Sequence, residues 1–262
     1  MRRFLSRFRS LWSVLLVAAA TAGLAQAKSE LGPTPPIPVE EGRKQARELV
    51  EDLLKLKPAA SSTERLLVKI TDADDNRTEV PVTFSVLLTP TNYLSIYETT
   101  SGPARRSKLT IASAENAPNE YLLSEPPEAP PRKLSPGELM SPFAGSDFWV
   151  ADLGLEFLHW PQQRITKKEM RRSLFCNVLE SINPEPTPSG YAKVESWVAV
   201  NRPEDIVIVH ADAYDAKGRR VKQFIPTKVR KVNGAWELAE MKIRNLQTGS
   251  STRIEFQPGP QH

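Results

Sequence analysis

The sequence has 262 residues, a single cysteine and a formal net charge of +4, with a pI of about 9.1. The lone Cys176 excludes an internal disulfide framework, and the length is enough for one large hydrophobic core or two small ones. The first 27 residues contain four arginines and no acidic residue. The remainder is therefore neutral overall and lacks the basic footprint of a nucleic-acid-binding protein.

The N-terminus has the pattern of a secretory signal peptide. Four arginines precede an apolar run, and Ala25-Gln26-Ala27 has the small-x-small form of a cleavage site. The run is short for a membrane anchor, and no cysteine near the cleavage point could carry a lipid. We predict a signal peptide over residues 1–27, a proline-rich tether over 28–38 and one domain over 39–262. The protein is expected to be soluble in the periplasm.

The first predicted element of the domain is a helix. Between Glu40 and Leu56 apolar residues recur at helical spacing, and the two glutamates at its start suit the helix dipole. Pro58 ends the pattern. One apolar stripe of this helix should lie on a flat surface.

Strand patterns dominate the rest of the chain. The proline-rich stretch 125–139 is predicted to be a loop, whereas Asn233-Gly234 and Gly249 mark tight turns. Consecutive hairpins indicate an antiparallel meander of ten or eleven strands that curls into a barrel or wrapped sheet, with one or two helices over its concave face. The predicted strands, rich in β-branched and aromatic residues, are 65–70, 80–88, 92–100, 107–113, 119–125, 171–181, 191–200, 205–215, 219–232, 235–246 and 251–257.

An aromatic segment, SPFAGSDFWVADLGLEFLHWPQQRI (141–165), follows the proline-rich loop. Ser146 or Asp147 is predicted to cap a helix there. Four apolar residues then lie at spacings of four, four and three and would form one stripe of that helix. The stripe is either ordinary core or the inner face of a lid over a cavity. Its residues are Trp149, Leu153, Phe157 and Trp160.

Residues that could support catalysis are few. The three histidines form no HExxH pair, and Cys176 lies in an apolar strand pattern typical of an inert buried thiol. His159 could line a pocket or be a partly buried structural residue. Phosphate-binding, dinucleotide-binding and nucleophile-elbow motifs are absent from the sequence. We therefore predict a non-enzyme without a cofactor.

The stretch DADDN resembles the start of a calcium-binding loop. Asp72, Asp74 and Asn76 occupy its odd positions, but Arg77 stands where glycine is needed and Thr83 where a bidentate glutamate is needed. The stretch is therefore predicted to be an acidic hairpin turn, and no metal site is expected.

Two stretches are strongly basic. Residues 217–231 contain seven Lys or Arg and no acid, and residues 164–172 contain five against Glu169 alone. Such runs are either solvated faces or surfaces that meet something anionic, such as lipid head groups or an acidic partner.

Several short motifs, in order over roughly residues 140–256, resemble the outer-membrane lipoprotein-sorting proteins, relatives of the periplasmic lipoprotein carrier. The chain departs from that family at Trp149 and Ala151, at Ala199, and in the proline-rich stretch 125–139 that replaces a basic strand. The motifs that carry the resemblance are Gly145-Ser146-Asp147-Phe148 with Asp152-Leu153; Tyr191, Lys193, Val194 and Trp197; Tyr214-Asp215-x-x-Gly218; and Met241, Asn245, Thr248, Gly249 and Thr252.

The resemblance implies an α+β fold, mainly antiparallel β, in which an incomplete, half-open barrel has helices plugging its open face. Family members hold acyl chains between sheet and helices. We therefore expect a non-catalytic periplasmic carrier of lipid acyl chains or lipoprotein, in outer-membrane lipoprotein sorting, whose candidate partners are sorting proteins of the inner or outer membrane. The alternative is an envelope regulatory or assembly module that binds a protein partner, and the oligomeric state is open. The expected ligand-binding residues are Phe148, Trp149, Leu153, Phe157 and Trp160.

Overall fold

The computed structural model describes residues 37–100, 105–114, 117–202, 205–232 and 235–257, without the side chains of 202, 205, 230–232 and 235–237. The predicted signal peptide, nearly all of the tether and the Asn233-Gly234 turn lie outside these residues. Among the described residues, no helix is long and apolar enough to cross a membrane.

The described strands form one thirteen-stranded sheet in which every pairing is antiparallel. Its spatial order is β6-β5-β4-β3-β2-β1-β13-β12-β11-β10-β9-β8-β7. The strands are β1 Ser62–Thr71, β2 Arg77–Leu88, β3 Asn92–Thr99, β4 Lys108–Ala114, β5 Ala117–Ser124, β6 Arg132–Lys133, β7 Gln162–Arg171, β8 Leu174–Ile182, β9 Lys193–Arg202, β10 Asp205–Tyr214, β11 Arg220–Val232, β12 Ala235–Asn245 and β13 Ser251–Phe256.

All eleven predicted strands are present, but the predicted count of ten or eleven was too low. The two additional strands, β6 and β7, are the edges of the sheet. Strand β6 is only two residues long and lies in the proline-rich stretch. Strand β7 contains residues 164–171 of the basic run and the two residues before them. Short or charged edge strands protect a sheet from pairing with other chains, and this role hides them from a search for apolar alternation.

The two edges of the sheet are consecutive in the sequence. The chain enters the sheet at β1, reaches one edge at β6, and resumes at the opposite edge with β7, and the last strand, β13, pairs with β1. The connection between the edges, residues 134–161, is called the crossing segment here. It contains helix α2 (Val150–Leu153) and 3-10 helices at Pro136–Met140, Phe143–Gly145 and Glu156–His159.

The crossing segment lacks the continuous helix that the apolar spacing predicted. Helix α2 has a single turn, and Leu155 has left-handed φ and ψ of 50° and 44°, which interrupts helical geometry before the 3-10 helix at Glu156–His159. Ser146 and Asp147 do not cap this helix as predicted. The N-cap position is Trp149, whose backbone N–H donates to Asp152 Oδ2 at 2.7 Å. The four-residue stripe therefore does not exist as one helical face.

The crossing segment nevertheless buries most of its apolar side chains in the same core as the sheet. Phe143 packs edge-on against Tyr97 of β3 with ring centroids 5.7 Å apart, and Tyr97 in turn packs on Phe84 of β2 at 4.7 Å. The buried apolar residues of the segment are Leu134, Leu139, Phe143, Phe148, Val150, Ala151, Leu153, Phe157, Leu158 and Trp160.

Helix α1 (Val39–Lys55) confirms the predicted N-terminal helix and packs along β7. Its buried stripe includes Ala46, Leu49 and Val50. A β-carbon on Gly42 would lie 2.4 Å from the carbonyl oxygen of Ile165. Only glycine therefore allows the helix to approach the edge strand so closely.

The DADDN stretch forms the β1–β2 turn as predicted. Asp72 Oδ1 accepts hydrogen bonds from the backbone N–H groups of Asp74 and Asn76, both at 2.9 Å. Cys176 is fully buried, and burial raises the pKa of its thiol. The predicted burial of this thiol in an apolar strand is thus confirmed.

Candidate functional site

Two apolar cavities lie between the crossing segment and the sheet. The first has a volume of about 80 Å³ and the second about 40 Å³. Leu155 of the crossing segment and Ile208 of β10 border both, so these side chains stand at the partition. The first cavity is also lined by Leu53, Leu54 and Leu56 at the end of α1, and by Tyr93, Tyr97 and Ile111 of the sheet.

Leu155, one of the two residues between the cavities, has an unusual backbone conformation. Leu155 lies in the left-handed region, which residues other than glycine, and large ones above all, rarely adopt. Such conformations persist only where the surrounding structure enforces them, and they concentrate at functional sites. Here the left-handed turn places an apolar side chain between two cavities.

One anchor fixes the crossing segment to strand β5. Asn119 Nδ2 donates to the carbonyl oxygen of Gly154 at 2.8 Å, and the Tyr121 hydroxyl donates to Glu156 Oε2 at 2.7 Å. A β-carbon on Gly154 would lie 2.1 Å from the Tyr121 hydroxyl oxygen. This anchor therefore requires glycine directly before the left-handed residue.

A second anchor is built around Lys222 of β11, whose side chain is only 4% exposed. Its Nζ donates to the carbonyl oxygen of Asp147 at 2.6 Å and lies 3.5 Å from the centroid of the Trp149 ring, a cation–π contact. The Asp152 carboxylate is 3.9 Å away and accepts the Tyr191 hydroxyl at 3.0 Å. Tyr191 stacks on Trp149 with centroids 4.4 Å apart.

The second anchor extends to the last strand through Asp147. The carboxylate of Asp147 accepts hydrogen bonds from Ser250 Oγ at 2.6 Å and Thr252 Oγ1 at 2.8 Å. The middle of the crossing segment is thus tied to β11 and β13 by the second anchor, and to β5 by the first.

Burial shifts the pKa values of the ionisable groups in the second anchor so that their neutral forms are favoured. Desolvation lowers the pKa of Lys222 to about 8, against the opposing effect of Asp152. Desolvation also raises the pKa of Asp152, although Lys222 and its hydrogen-bond donors act in the other direction. The Tyr191 hydroxyl, buried beside Asp152, has a pKa well above its usual value. A charged pair is therefore held here at a substantial desolvation cost.

The structure distributes the five predicted ligand-binding residues unevenly. Leu153 lines the first cavity and Phe157 lines the second. Phe148 and Trp160 are buried, while Trp149 is half-buried against Tyr191 and Lys222, and these three border neither of the two cavities.

Other residues at the site escaped the sequence analysis. Lys222 was counted only within the basic run 217–231, although its side chain is buried. Tyr121 and Leu155 had no local signal. His159 does line the first cavity, and burial lowers its pKa. By contrast, four residues singled out by their motifs converge on the second anchor, namely Asp147, Asp152, Tyr191 and Thr252.

Among the described residues, no group of three or more His, Cys, Asp and Glu is arranged to hold a metal ion. The site is instead an apolar interior closed by a tied segment of the chain.

Solved structures with the same architecture come from three bacteria. A DUF1329 family protein from Desulfovibrio piger has a TM-score of 0.66 and 18% identity, covering 82% of this chain and 91% of its own. A domain described as an outer membrane lipoprotein-sorting protein, from Vibrio parahaemolyticus, has a TM-score of 0.65 and 19% identity, with coverages of 85% and 95%. A LolA superfamily protein from Nitrosomonas europaea has a TM-score of 0.58 and 15% identity, with coverages of 81% and 91%.

These similarities define the class of the protein by its fold: a single open antiparallel sheet with few helices, the fold of the lipoprotein-sorting proteins that the motifs indicated. A family model described as "Uncharacterized protein" matches residues 92–258. That match spans more than half of the chain, which therefore belongs to this family. None of the curated proteins matches the sequence.

Proposed function

We propose that this protein is an exported periplasmic carrier that shields an acyl chain of a lipid or lipoprotein between its sheet and its crossing segment, without catalysing a reaction. In this proposal residues 1–27 are a signal peptide and 39–262 a single domain. Helix α1 and the crossing segment cover the concave face. The fold shared with lipoprotein-sorting proteins supports the proposal.

The observation that carries the proposal is the pair of apolar cavities under a segment held by two discrete anchors. Their volumes of about 80 and 40 Å³ are small beside the roughly 300–1,000 Å³ of typical ligand pockets. Uptake of an acyl chain therefore requires the crossing segment to move outward and the cavities to merge past Leu155.

The energy for this movement comes from the ligand. Burial of an acyl chain contributes about 0.8 kcal/mol per methylene, so about ten methylenes contribute roughly 8 kcal/mol. This is enough to offset the loss of several hydrogen bonds at about 1 kcal/mol each. Leu153 and Phe157 already face the cavities, and Phe148, Trp149 and Trp160 would line the widened space.

The test combines ligand detection with a change in the second anchor. The chain is recovered gently from a periplasmic extract and examined by native mass spectrometry, and a dansyl-labelled undecanoate is then titrated. The Tyr191→Phe variant keeps the ring stacked on Trp149 but removes its hydrogen bond to Asp152. Because its crossing segment is displaced more easily, this variant should bind the probe roughly tenfold more tightly than the wild type.

The matched control is Tyr214→Phe, which removes a 3.0 Å hydrogen bond to Glu195 within the sheet, away from the crossing segment. Its affinity for the probe should equal that of the wild type. A wild-type chain without bound lipid that also refuses the probe would refute the carrier. Recovery of a stoichiometric envelope protein instead, insensitive to delipidation, would establish the regulatory or assembly module. Equal affinities in wild type and Tyr191→Phe would refute the crossing segment as the gate.

A further inference from the structure

We propose that the end of the β7–β8 hairpin is a docking surface for anionic lipid bilayers. This inference is independent of the interior cavities. Met170 and Phe175 face each other across the hairpin, and their side chains are 57% and 55% exposed. They are the most exposed large hydrophobic residues in the described part of the chain. Arg172 and Ser173, with φ of 51° and 64°, form the tight turn beyond them.

The exposed pair stands on a firmly held element. The Arg171 guanidinium lies 4.8 Å from the Trp197 ring centroid and contacts His210 Nε2 at 3.0 Å. Arg172 donates to the carbonyl oxygen of Pro226. Neighbouring residues of a strand face opposite sides. Arg171 therefore holds the hairpin end to the rest of the sheet on one side, and Met170 points into solvent on the opposite side.

Charge near this pair selects an anionic partner. Between residues 164 and 172, strand β7 and its turn contain five basic residues and one acid, Glu169. Arg164 pairs with Glu180 at 2.7 Å, so the excess positive charge lies at the hairpin end. The carboxylate of Glu169 is already engaged by Lys167 at 2.8 Å and by the indole N–H of Trp197 at 2.5 Å. Lys168, two residues before Met170, lies on the same side of the strand as the exposed pair. Cations beside exposed apolar side chains fit the boundary between head groups and acyl chains of an anionic membrane.

The size of the apolar surface favours a bilayer over a protein partner. A stable protein interface buries about 800 Å² on each partner. Two neighbouring side chains at the tip of a hairpin offer far less, whereas insertion of a few apolar side chains beside basic residues is sufficient for reversible membrane association.

The test is flotation of the chain, recovered from a periplasmic extract, with vesicles of phosphatidylcholine containing about one-third phosphatidylglycerol. The wild type should bind these vesicles, bind pure phosphatidylcholine much more weakly, and be released by salt. The double variant Met170→Ser/Phe175→Ser should bind at least about tenfold more weakly. Lys168→Gln should weaken binding and its salt dependence.

The matched control is Leu87→Ser/Leu88→Ser, which removes two apolar side chains of β2 that are 43% and 40% exposed. Its vesicle binding should equal that of the wild type. The proposal is overturned by a wild type that does not float, by equal binding of the hairpin and control variants, or by a hairpin-dependent dimer without vesicle binding. Binding of the interior acyl probe should be the same in both double variants, so the carrier and the docking surface are tested separately.

Discussion

Lys222 is a cation held almost completely away from water, with a carbonyl oxygen, an aromatic face and a distant carboxylate as its surroundings. Within the basic run 217–231, Lys222 is buried because its side chain points from β11 toward the crossing segment. Its neighbours Arg219 and Arg220 are exposed. The sequence shows the charge of Lys222 but not its burial, since basic residues occur along the whole run.

The buried position of Lys222 predicts a specific pH dependence of stability. Its pKa is 10.5 when unperturbed and about 8 in the folded protein. The unfolded chain therefore binds more protons between these values, and the free energy of unfolding rises with pH across that window. From pH 7.5 to 9.5 the rise should be about 2 kcal/mol, measured by urea denaturation.

The Lys222→Met variant should lack this rise. A matched control is Lys193→Met, because the carboxylates near Lys193 raise its pKa and its titration falls above the window. That variant should keep the wild-type slope. The same slope in wild type and Lys222→Met would show that Lys222 retains its proton throughout this range.

Helix α1 and the crossing segment show how elements are positioned by close backbone approaches. The helix was predictable, since its apolar residues repeat at helical spacing and Pro58 follows its end. The crossing segment was not predictable as an element. The spacing of Trp149, Leu153 and Phe157 fits a helix, but the backbone reverses at Leu155 because Tyr121 and Asn119 hold the preceding glycine against β5.

The contact between α1 and β7 can be tested by Gly42→Ala. Alanine is favoured over glycine within a helix by about 1 kcal/mol. The added β-carbon would, however, lie 2.4 Å from a backbone oxygen that cannot rotate away. Such overpacking costs about 1–3 kcal/mol, and so short a contact with backbone belongs at the upper end of that range. After the helix gain of about 1 kcal/mol, we expect a net loss of roughly 2 kcal/mol in the free energy of unfolding.

The control for that change is Gly137→Ala in the 3-10 helix at the start of the crossing segment, where a β-carbon would meet nothing within 4 Å. This variant should retain full stability in the same urea titration. A Gly42→Ala variant as stable as the control would mean that the helix does not need its close approach to β7.

At the scale of the whole molecule, the β1–β13 pairing joins the first and last strands in the middle of the sheet. Each of these strands has a neighbour on both sides, and their facing residues Val68 and Ile254 are buried. The edges β6 and β7 each have one neighbour. We therefore expect the paired strands β1 and β13 to be the most stable part of the sheet.

Hydrogen exchange of the native protein tests this arrangement. Amides of β1 and β13 should exchange only through global unfolding, whereas those of β6 and the outward-facing amides of β7 should exchange through local opening. Mass spectrometry of proteolytic fragments after exchange resolves these regions. Helix α1 packs along β7, so protection of β7 equal to that of β13 would indicate that this helix seals the whole edge or that a second molecule covers it.

The sequence by itself determined the helix, the eleven interior strands and their antiparallel connections, because these depend on local periodicity and turn chemistry. The family resemblance added four residues of the second anchor. Tertiary structure decided the edge strands, the path of the crossing segment and the burial of Lys222. Each of these depends on neighbours distant in the sequence: the open sheet edges at β6 and β7, the asparagine that binds the carbonyl oxygen of Gly154, and the ring and carboxylate that surround Lys222.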